Sequence, residues 1–187
     1  MVPLLLHYAL QKIVNMEIKK REIAYDGFFK MYTLTVEQDG HTFTREQYDR
    51  GMAVCALVFD TEKQEYVLTK QFRIGSESEL VEIVAGMVDE GEEPETSIKR
   101  EIEEEIGYEV DKLEFLHKFY SSPGGSTELV LLYYAEVSHQ KASGGGNSGE
   151  HEQIEIMRYS PEELDKLMTP DAKTVIAQQW VKLRNKG

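Results

Sequence analysis

Cysteine and positive charge are both scarce in this chain of 187 residues. The single cysteine, Cys55, excludes an internal disulfide, so we expect a cytoplasmic protein. Cys55 lies in the apolar run AVCALVF, which favours a buried strand residue over a nucleophile.

Lys and Arg number 21 against 34 Asp and Glu, giving a net charge of −13. This balance disfavours nucleic acid and membrane as partners. It leaves an anionic small molecule open, because bound metal and local arginines invert the field inside a cleft.

Long hydrophobic runs are also missing. The apolar stretch at residues 3–10 is too short to span a bilayer. No basic region precedes it and no small-residue cleavage site follows it, which disfavours a secretory signal. We interpret residues 1–15 as an N-terminal extension, either an extra helix or a segment upstream of a second start at Met16. The length suffices for one domain with a proper core.

The rest of the chain mixes β-rich runs with a few helical patterns, which predicts an α+β fold. Asp39-Gly40 separates two alternating runs and predicts a hairpin. The predicted strands are residues 18–24, 28–38, 41–48, 52–60, 66–72, 80–84, 112–119, 129–137 and 153–159. Two late helices are predicted at 161–168 and 171–183, the first capped by Ser160. A polar loop with three glycines, 144–146, precedes the last strand.

The densest chemistry lies in the stretch from Gly86 to Tyr108. It places nine acidic side chains between Asp89 and Glu105. Pro94 and Gly107 predict the start and the end of a helix. Its apolar stripe is Ile98, Ile102 and Ile106, and its neighbouring acidic face is Glu101, Glu104 and Glu105. Like charges at helical spacing repel, and a multivalent cation would remove the conflict. The stretch predicts a Mg²⁺-binding helix of a hydrolase acting on phosphates; a solvated acidic face is the alternative.

These residues resemble the Nudix box, G-x5-E-x7-R-E-U-x-E-E-x-G-U, where U is bulky and apolar. The positions in register are Gly86, Glu92, Arg100, Glu101, Ile102, Glu104, Glu105 and Gly107. Tyr108 departs from the box, because the family usually has an aliphatic residue there. We expect little consequence, since that position packs rather than reacts.

The flanking segments resemble the ADP-ribose and GDP-mannose pyrophosphatase branch of the family. Those segments are 45–51 (REQYDRG), 71–73 (QFR), 82–86 (EIVAG) and 122–125 (SPGG). Pro123 stands sixteen residues after Gly107, where that branch carries a proline as a substrate marker. The resemblance implies a Nudix α/β/α sandwich with a mixed sheet, at 51–187. It also implies an N-terminal antiparallel strand region, 16–50, exchanged in a homodimer with shared active sites.

The resemblance assigns roles to individual residues. The implied metal ligands are Glu101, Glu104, Glu105 and the backbone carbonyl of Ala85. The implied substrate-binding residues are Arg45 from the partner subunit, Arg73 at the phosphates, Glu82 near the terminal sugar or metal, Tyr48 as a stacking candidate beside Phe28 and Tyr32, and Pro123. Arg100 orients the box. The general base is a glutamate of the late loop, where Glu152 matches best and Glu150 second.

The function implied is Mg²⁺-dependent hydrolysis of the pyrophosphate bond of a nucleoside diphosphate sugar, giving a nucleoside monophosphate and a sugar phosphate. Two or three Mg²⁺ ions are implied, with Mn²⁺ as a substitute. One alternative is a non-catalytic Nudix domain that senses ADP-ribose or a related nucleotide; the intact box carboxylates disfavour it. A triphosphatase is a second alternative, disfavoured by Pro123. The preferred base and sugar stay open.

Overall fold

A computed structural model describes residues 15–146 and 153–184. The chain divides into two compact units. The first is Met1–Arg50 with Gly124–Ser126, and the second is Gly51–Pro123 with Thr127–Gly187. Because the description begins at residue 15, the predicted N-terminal extension, residues 1–15, lies almost wholly outside the described residues. None of the helices in the described part of the chain has the length and apolar composition needed to cross a membrane.

The first unit is a three-stranded antiparallel sheet in the order β1-β2-β3. Its strands are β1 (Met16–Asp26), β2 (Lys30–Gln38) and β3 (His41–Asp49). Asp39 and Gly40 join β2 to β3 with φ values of 51° and 80°. Positive φ at both positions is the mark of the tight hairpin turn that matches strand twist, so the predicted hairpin is confirmed. The Tyr48 N–H donates to the Gly125 carbonyl at 2.8 Å, which ties 124–126 to β3.

The second unit is built on a seven-stranded mixed sheet. Five strands lie in the order β10-β5-β4-β9-β8, β6 pairs with β5, and β7 pairs with β4. The strands are β4 (Met52–Asp60), β5 (Glu65–Arg73), β6 (Ser78–Glu82), β7 (Val84–Met87), β8 (Tyr108–Tyr120), β9 (Leu129–Gln140) and β10 (Glu155–Tyr159). The β4–β9 pair is parallel and the other pairs are antiparallel.

Helices cover both faces of this sheet: α1 (Pro94–Ile106), α2 (Pro161–Lys166) and α3 (Ala172–Arg184). Side chains of β4 alternate between the two faces. Val54, Ala56 and Val58 pack with the isoleucine stripe of α1. Cys55 and Leu57 pack on the opposite face with residues of α2 and α3. The arrangement is the α+β sandwich expected from the sequence.

Cys55 is fully buried, and burial raises the pKa of its thiol to about 12. The thiolate is the nucleophilic form, so this cysteine is inert at neutral pH. Its interpretation as a buried strand residue is confirmed.

One predicted strand, residues 80–84, is two strands in the structure. The chain leaves β5 at Glu82 and joins β4 at Val84, so β6 and β7 have different partners. Between them the Ile83 N–H donates to the Thr174 hydroxyl of α3 at 2.9 Å. The run LVEIV at 80–84 carries no signal for such a change of partner, because the break depends on contacts with a helix far away in the sequence. The first of these strands also begins two residues earlier than predicted, at Ser78.

Candidate active site

Helix α1 presents the acidic side chains, and both of its ends match their sequence signals. Pro94 occupies the first turn, and Gly107 ends the helix in the left-handed conformation with φ 75°. The isoleucine stripe is fully buried, which fixes the rotation of the helix against the sheet. The exposed fraction on the acidic face rises from 3% at Glu105 to 13% at Glu101 and 40% at Glu104. The face therefore runs from the protein interior towards solvent.

Arg100 lies at the centre of the acidic cluster. Its guanidinium contacts four carboxylates, those of Asp89, Glu92, Glu101 and Glu104, at 3.6, 3.1, 2.8 and 3.2 Å. It also donates to the Met87 carbonyl at 3.3 Å. Its hydrogen bonds to the Glu92 carboxylate are the largest cause of its raised pKa, and the charge of Glu101 raises the pKa further, against the effect of burial. One arginine thus braces the helix against the segment that follows β7.

Gly86 lets the Glu101 carboxylate lie directly on the backbone of β7. A Cβ at position 86 would fall 2.0 Å from the Glu101 carboxyl carbon. The neighbouring Ala85 pairs with Cys55 in the β4–β7 ladder. Glycine is required at this position because of the close approach of the carboxylate.

The donors on this face suit a hard divalent cation. Carboxylate and carbonyl oxygens are the ligands that Mg²⁺ prefers, and Glu101, Glu104, Glu105 and Ala85 supply only such atoms. As the side chains stand, no group of three or more His, Cys, Asp or Glu in residues 15–146 and 153–184 converges closely enough to hold a metal. Arg100 explains part of this, because it draws Glu101 and Glu104 to itself. A cation at these oxygens would replace the contacts with Arg100.

Arg73 and Glu82 form a bidentate ion pair. Arg73 donates from Nε to Glu82 Oε1 at 2.7 Å and from Nη2 to Oε2 at 3.0 Å. Burial lowers the pKa of Arg73, but Glu82 with the nearby charges of Glu105 and Asp171 outweighs burial and raises it. Helix α1 packs against β5, the strand that carries Arg73, so the charge of Glu105 acts on this guanidinium. Lys173 of α3 completes the arrangement, because its Nζ donates to Glu82 Oε2 at 3.1 Å.

The three glycines of the late loop are docked on the end of α1. The Gly145 N–H donates to the Glu105 carbonyl at 2.8 Å, and the Gly146 N–H donates to the Glu104 carbonyl at 3.2 Å. These carbonyls belong to the last turn, which has no partner within the helix. The chain returns through Ile154, whose N–H donates to the Gly145 carbonyl at 3.3 Å. Glu150 and Glu152 lie outside the described residues, between these two anchored points.

A model of the NUDIX domain family matches residues 49–179. The chain belongs to the Nudix family. A GDP-mannose pyrophosphatase of Cronobacter sakazakii is 35% identical over 186 residues, covering 91% of this chain and 97% of that protein. A GDP-mannose pyrophosphatase of Escherichia coli strain K12 is 36% identical over 177 residues, covering 87% and 92%. A crystal structure described as an ADP compounds hydrolase superposes with a TM-score of 0.77. At 22% identity it covers 92% of this chain and 96% of its own, and it supports the fold.

The remaining residues assigned from the Nudix resemblance lie outside this cluster of contacts. Arg45 and Tyr48 are on β3 of the first unit; Arg45 is stacked on Phe43 at 4.4 Å, and Tyr48 packs edge-on against Phe29. Pro123 is an exposed turn residue at the end of the first segment of the second unit. The structure thus brings together the residues of α1, β5, β6 and β7.

The Nudix pattern predicts that residue 108 packs in the core, but it does not predict the polar contacts of Tyr108. Tyr108 is fully buried, and its hydroxyl donates to Asp60 at 2.6 Å. The same hydroxyl accepts from Lys63 at 2.6 Å and from Arg158 at 3.0 Å. The position packs, as expected, but it also links β4, β8 and β10 through a polar group. The departure from the box was the signal that could have found this cluster.

Lys173 is the other residue that sequence reasoning missed. The sequence predicts a helix at 171–183 that includes Lys173, but nothing in the spacing of this lysine marks it as a site residue. Its contacts become visible only when α3 is placed against β6, because Glu82 is 91 positions away in the sequence.

Proposed function

We propose that this chain hydrolyses the pyrophosphate bond of nucleoside diphosphate sugars such as GDP-mannose or ADP-ribose. The products would be a nucleoside monophosphate and a sugar phosphate. The observation that carries the proposal is the graded acidic face of α1, with Glu101 lying on Gly86 and with Arg73 on β5, the strand against which α1 packs. The relatives named GDP-mannose pyrophosphatase support the substrate class, since they match along nearly their whole length.

Nudix hydrolases generally use divalent metal ions. For this chain we propose two or three Mg²⁺ ions, with Mn²⁺ as a substitute. Their ligands would be Glu101, Glu104, Glu105 and the Ala85 carbonyl. When bound, such ions neutralise the charge of the diphosphate and acidify water. Release of Arg100 from Glu101 and Glu104 would accompany binding, while its contact with Glu92 keeps it in place.

The side chains of the chain itself position substrate and move a proton. Water forms a bond to one phosphorus, and the bond from that phosphorus to the bridging oxygen breaks. Glu152 is the proposed acceptor of the water's proton, with Glu150 as the second candidate. Both follow glycines that are anchored on the last turn of α1. Arg73 would stabilise the charge that develops on the phosphate oxygens, and it retains one guanidinium nitrogen, Nη1, that does not bond Glu82.

The proposed assembly is a homodimer in which the first unit contributes to the partner's site. Arg45 would bind phosphate and Tyr48 would stack on the base there, with Pro123 as a substrate contact. The exposure of β1 supports the proposed homodimer, because all eleven residues of this strand are exposed and several of them are apolar. The cytoplasmic location that we propose rests on the single cysteine.

Product identification tests the proposal directly. The purified protein is incubated with GDP-mannose, ADP-ribose and nucleoside triphosphates, with and without Mg²⁺. We expect metal-dependent release of monophosphate from the sugar conjugates. Thermal stabilisation by ADP-ribose without any turnover would instead identify a sensor. Faster release of pyrophosphate from triphosphates would identify a triphosphatase.

Glu101→Gln tests the metal assignment. The amide keeps the shape of the side chain but loses its charge, so Mg²⁺-dependent turnover should fall by at least about 100-fold while the fold is retained. Glu103→Gln is a matched control, because Glu103 lies on the same helix and its side chain is exposed. Activity of Glu101→Gln equal to that of the control would remove Glu101 from the ligand set.

A further inference from the structure

Four charged side chains of β5, β6 and the start of α3 form one cluster, in which the two carboxylates are buried. We refer to Arg73, Glu82, Asp171 and Lys173 as the Glu82 cluster. Glu82 is 1% exposed and accepts three charged hydrogen bonds, two from Arg73 and one from Lys173. Lys173 also donates to Asp171 Oδ1 at 2.6 Å. The other oxygen of Asp171 accepts from the Thr174 N–H at 2.9 Å and so caps α3.

The formal charges of the Glu82 cluster balance. Two cations oppose two anions, and each anion is bonded to Lys173. Burial lowers the pKa of Lys173, but Asp171 and Glu82 together outweigh burial and raise it. Lys173 therefore stays charged at neutral pH. Buried charges are tolerated when they are paired in this way, and removal of one partner is costly.

The cluster controls how much of Arg73 is available to a ligand. Nε and Nη2 of Arg73 are occupied by Glu82, whereas Nη1 has no hydrogen bond to the described residues. The side chain is 38% exposed, and the charge of Glu105 on the acidic face of α1 acts on it. Arg73 can therefore hold Glu82 with one edge and offer the other edge to a phosphate.

We propose that Lys173 is a positioning residue for substrate phosphate, acting through Glu82 on Arg73. The inference rests on the proposed function, because it assigns the diphosphate to the free edge of Arg73. Lys173 neutralises Asp171 and shares Glu82, so Arg73 has only one carboxylate to balance. Without the lysine charge, one cation faces two buried anions. Arg73 would then be held more tightly by the cluster, and its affinity for phosphate would fall.

The test separates the effect of the charge at position 173 from the effect of the side-chain contacts there. Lys173→Met removes the charge and keeps most of the side-chain length, whereas Lys173→Arg keeps the charge. The double variant Lys173→Met/Asp171→Asn restores neutrality, and the Asn side chain still caps α3. Lys182→Met is the control, because Lys182 lies on the same helix and pairs with Asp165 at the surface. Circular dichroism on heating establishes that each variant is folded at the assay temperature.

Two readouts are measured for each variant. The first is KM and kcat for GDP-mannose with Mg²⁺, and the second is the Kd of inorganic pyrophosphate by calorimetry with Ca²⁺. Lys173→Met should raise KM and Kd about tenfold, the change expected when one charged hydrogen bond to phosphate weakens. Its kcat should change less than its KM. Lys173→Arg and the neutral double variant should recover most of the loss, and Lys182→Met should match the unmodified chain.

The outcomes separate this inference from the proposed function. Pyrophosphate binding that weakens in Lys173→Met, in a chain that hydrolyses neither GDP-mannose nor ADP-ribose, supports the inference and removes the proposed function. Hydrolysis with unchanged KM and Kd in Lys173→Met overturns the inference alone. A double variant with higher KM and Kd than Lys173→Met also overturns the inference, because lost contacts rather than lost charge balance would then explain the weaker binding. Should Lys173→Met fail to fold, the double variant decides: near-normal KM supports the inference, and a tenfold rise overturns it.

Discussion

At the scale of single residues, Arg100 holds in place a helix whose acidic side chains repel one another. One positive charge is shared by four carboxylates from Asp89 to Glu104, so the cluster keeps a strong excess of negative charge. The arginine is partly exposed, and such ion pairs contribute little each to stability. Its main effect is geometric, because it holds α1 against the backbone of Met87. The residual charge is what a divalent cation would neutralise.

Gly86→Ala should separate activity from stability at this site. The new Cβ would meet the flexible end of Glu101 rather than backbone, so the carboxylate moves and the fold persists. We expect turnover to fall by about 100-fold and the apparent Mg²⁺ requirement to rise, with a change in Tm of only a few degrees. Gly75→Ala is the control, because nothing lies within 4 Å of its Cβ. Equal activity of the two variants would contradict the packing of Glu101 on Gly86.

Tyr108→Phe should reduce stability in a pH-dependent way. Burial alone would raise the pKa of Asp60, but hydrogen bonds from Tyr108 and Lys63 outweigh it and lower the pKa. A carboxyl group whose pKa is lower in the folded protein than in the unfolded chain stabilises the fold at pH values above its unfolded pKa, which is near 4. This stabilisation is lost as the pH falls through the pKa of the folded state. The variant should therefore lose about 1–3 kcal/mol at pH 7, and less at pH 3.

Urea denaturation at the two pH values measures this difference. Tyr25→Phe is the control, because Tyr25 is an exposed residue of β1 and should show no loss at either pH. Activity per folded molecule should stay unchanged in Tyr108→Phe, since the hydroxyl bonds Asp60, Lys63 and Arg158 within residues 15–146 and 153–184 and none of the three is a proposed site residue. A loss that is the same at both pH values would exclude the Asp60 explanation.

At the scale of elements, the end of α1 and the glycine loop stabilise each other. The loop donates N–H groups to two carbonyls that the helix leaves open, and Gly107 O accepts from the N–H groups of Lys141 and Ala142. Gly144 has φ 64°, and a Cβ there would lie 2.5 Å from the Glu105 carbonyl. The backbone of a proposed metal ligand is thus in contact with the loop that leads towards Glu152.

Gly144→Ala should disrupt this docking. Left-handed backbone costs a non-glycine residue about 1–2 kcal/mol, and the clash with the Glu105 carbonyl adds to it. Gly91→Ala is the matched control, because Gly91 also has a positive φ of 82° but a Cβ added there would meet only open space. We expect faster amide hydrogen exchange at Gly145 and lower kcat in Gly144→Ala, and neither effect in Gly91→Ala. Protected Gly145 in both variants would show that the loop does not depend on this contact.

The elements themselves were predictable because their signals are local. The stripe of isoleucines, Gly107 as the helix stop and the Ser160 capping box all lie within a few residues of what they control, and all are confirmed. The change of partner at Ile83 and the contact of Lys173 with Glu82 were not predictable, because each depends on α3 reaching β6 across the fold. Tyr108 falls between these cases, since its departure from the box was visible but its partners were not.

At the scale of the whole molecule, the first unit exposes a surface that a monomer rarely leaves uncovered. β1 has no buried residue, and its exposed apolar side chains are Met16, Ile18, Ile23 and Tyr25. Exposed apolar strands favour association. Arg45 lies two strands away in the same sheet, so a partner that covers β1 would receive this arginine on an adjoining surface. This is the physical basis on which we propose a dimer with shared sites.

Subunit mixing tests that proposal. Arg45→Ala and Glu101→Gln each remove one of two functions that would come from different subunits, and each homodimer should be nearly inactive. In mixed dimers one of the two sites carries both substitutions and the other carries neither, so activity should recover to about half of normal per mixed dimer. Differently tagged chains are unfolded together, refolded and purified through both tags. Recovery to about half of normal would show that the Arg45 and Glu101 of one site come from opposite subunits. If both came from one subunit, every site of the mixed dimer would be defective and activity would stay low.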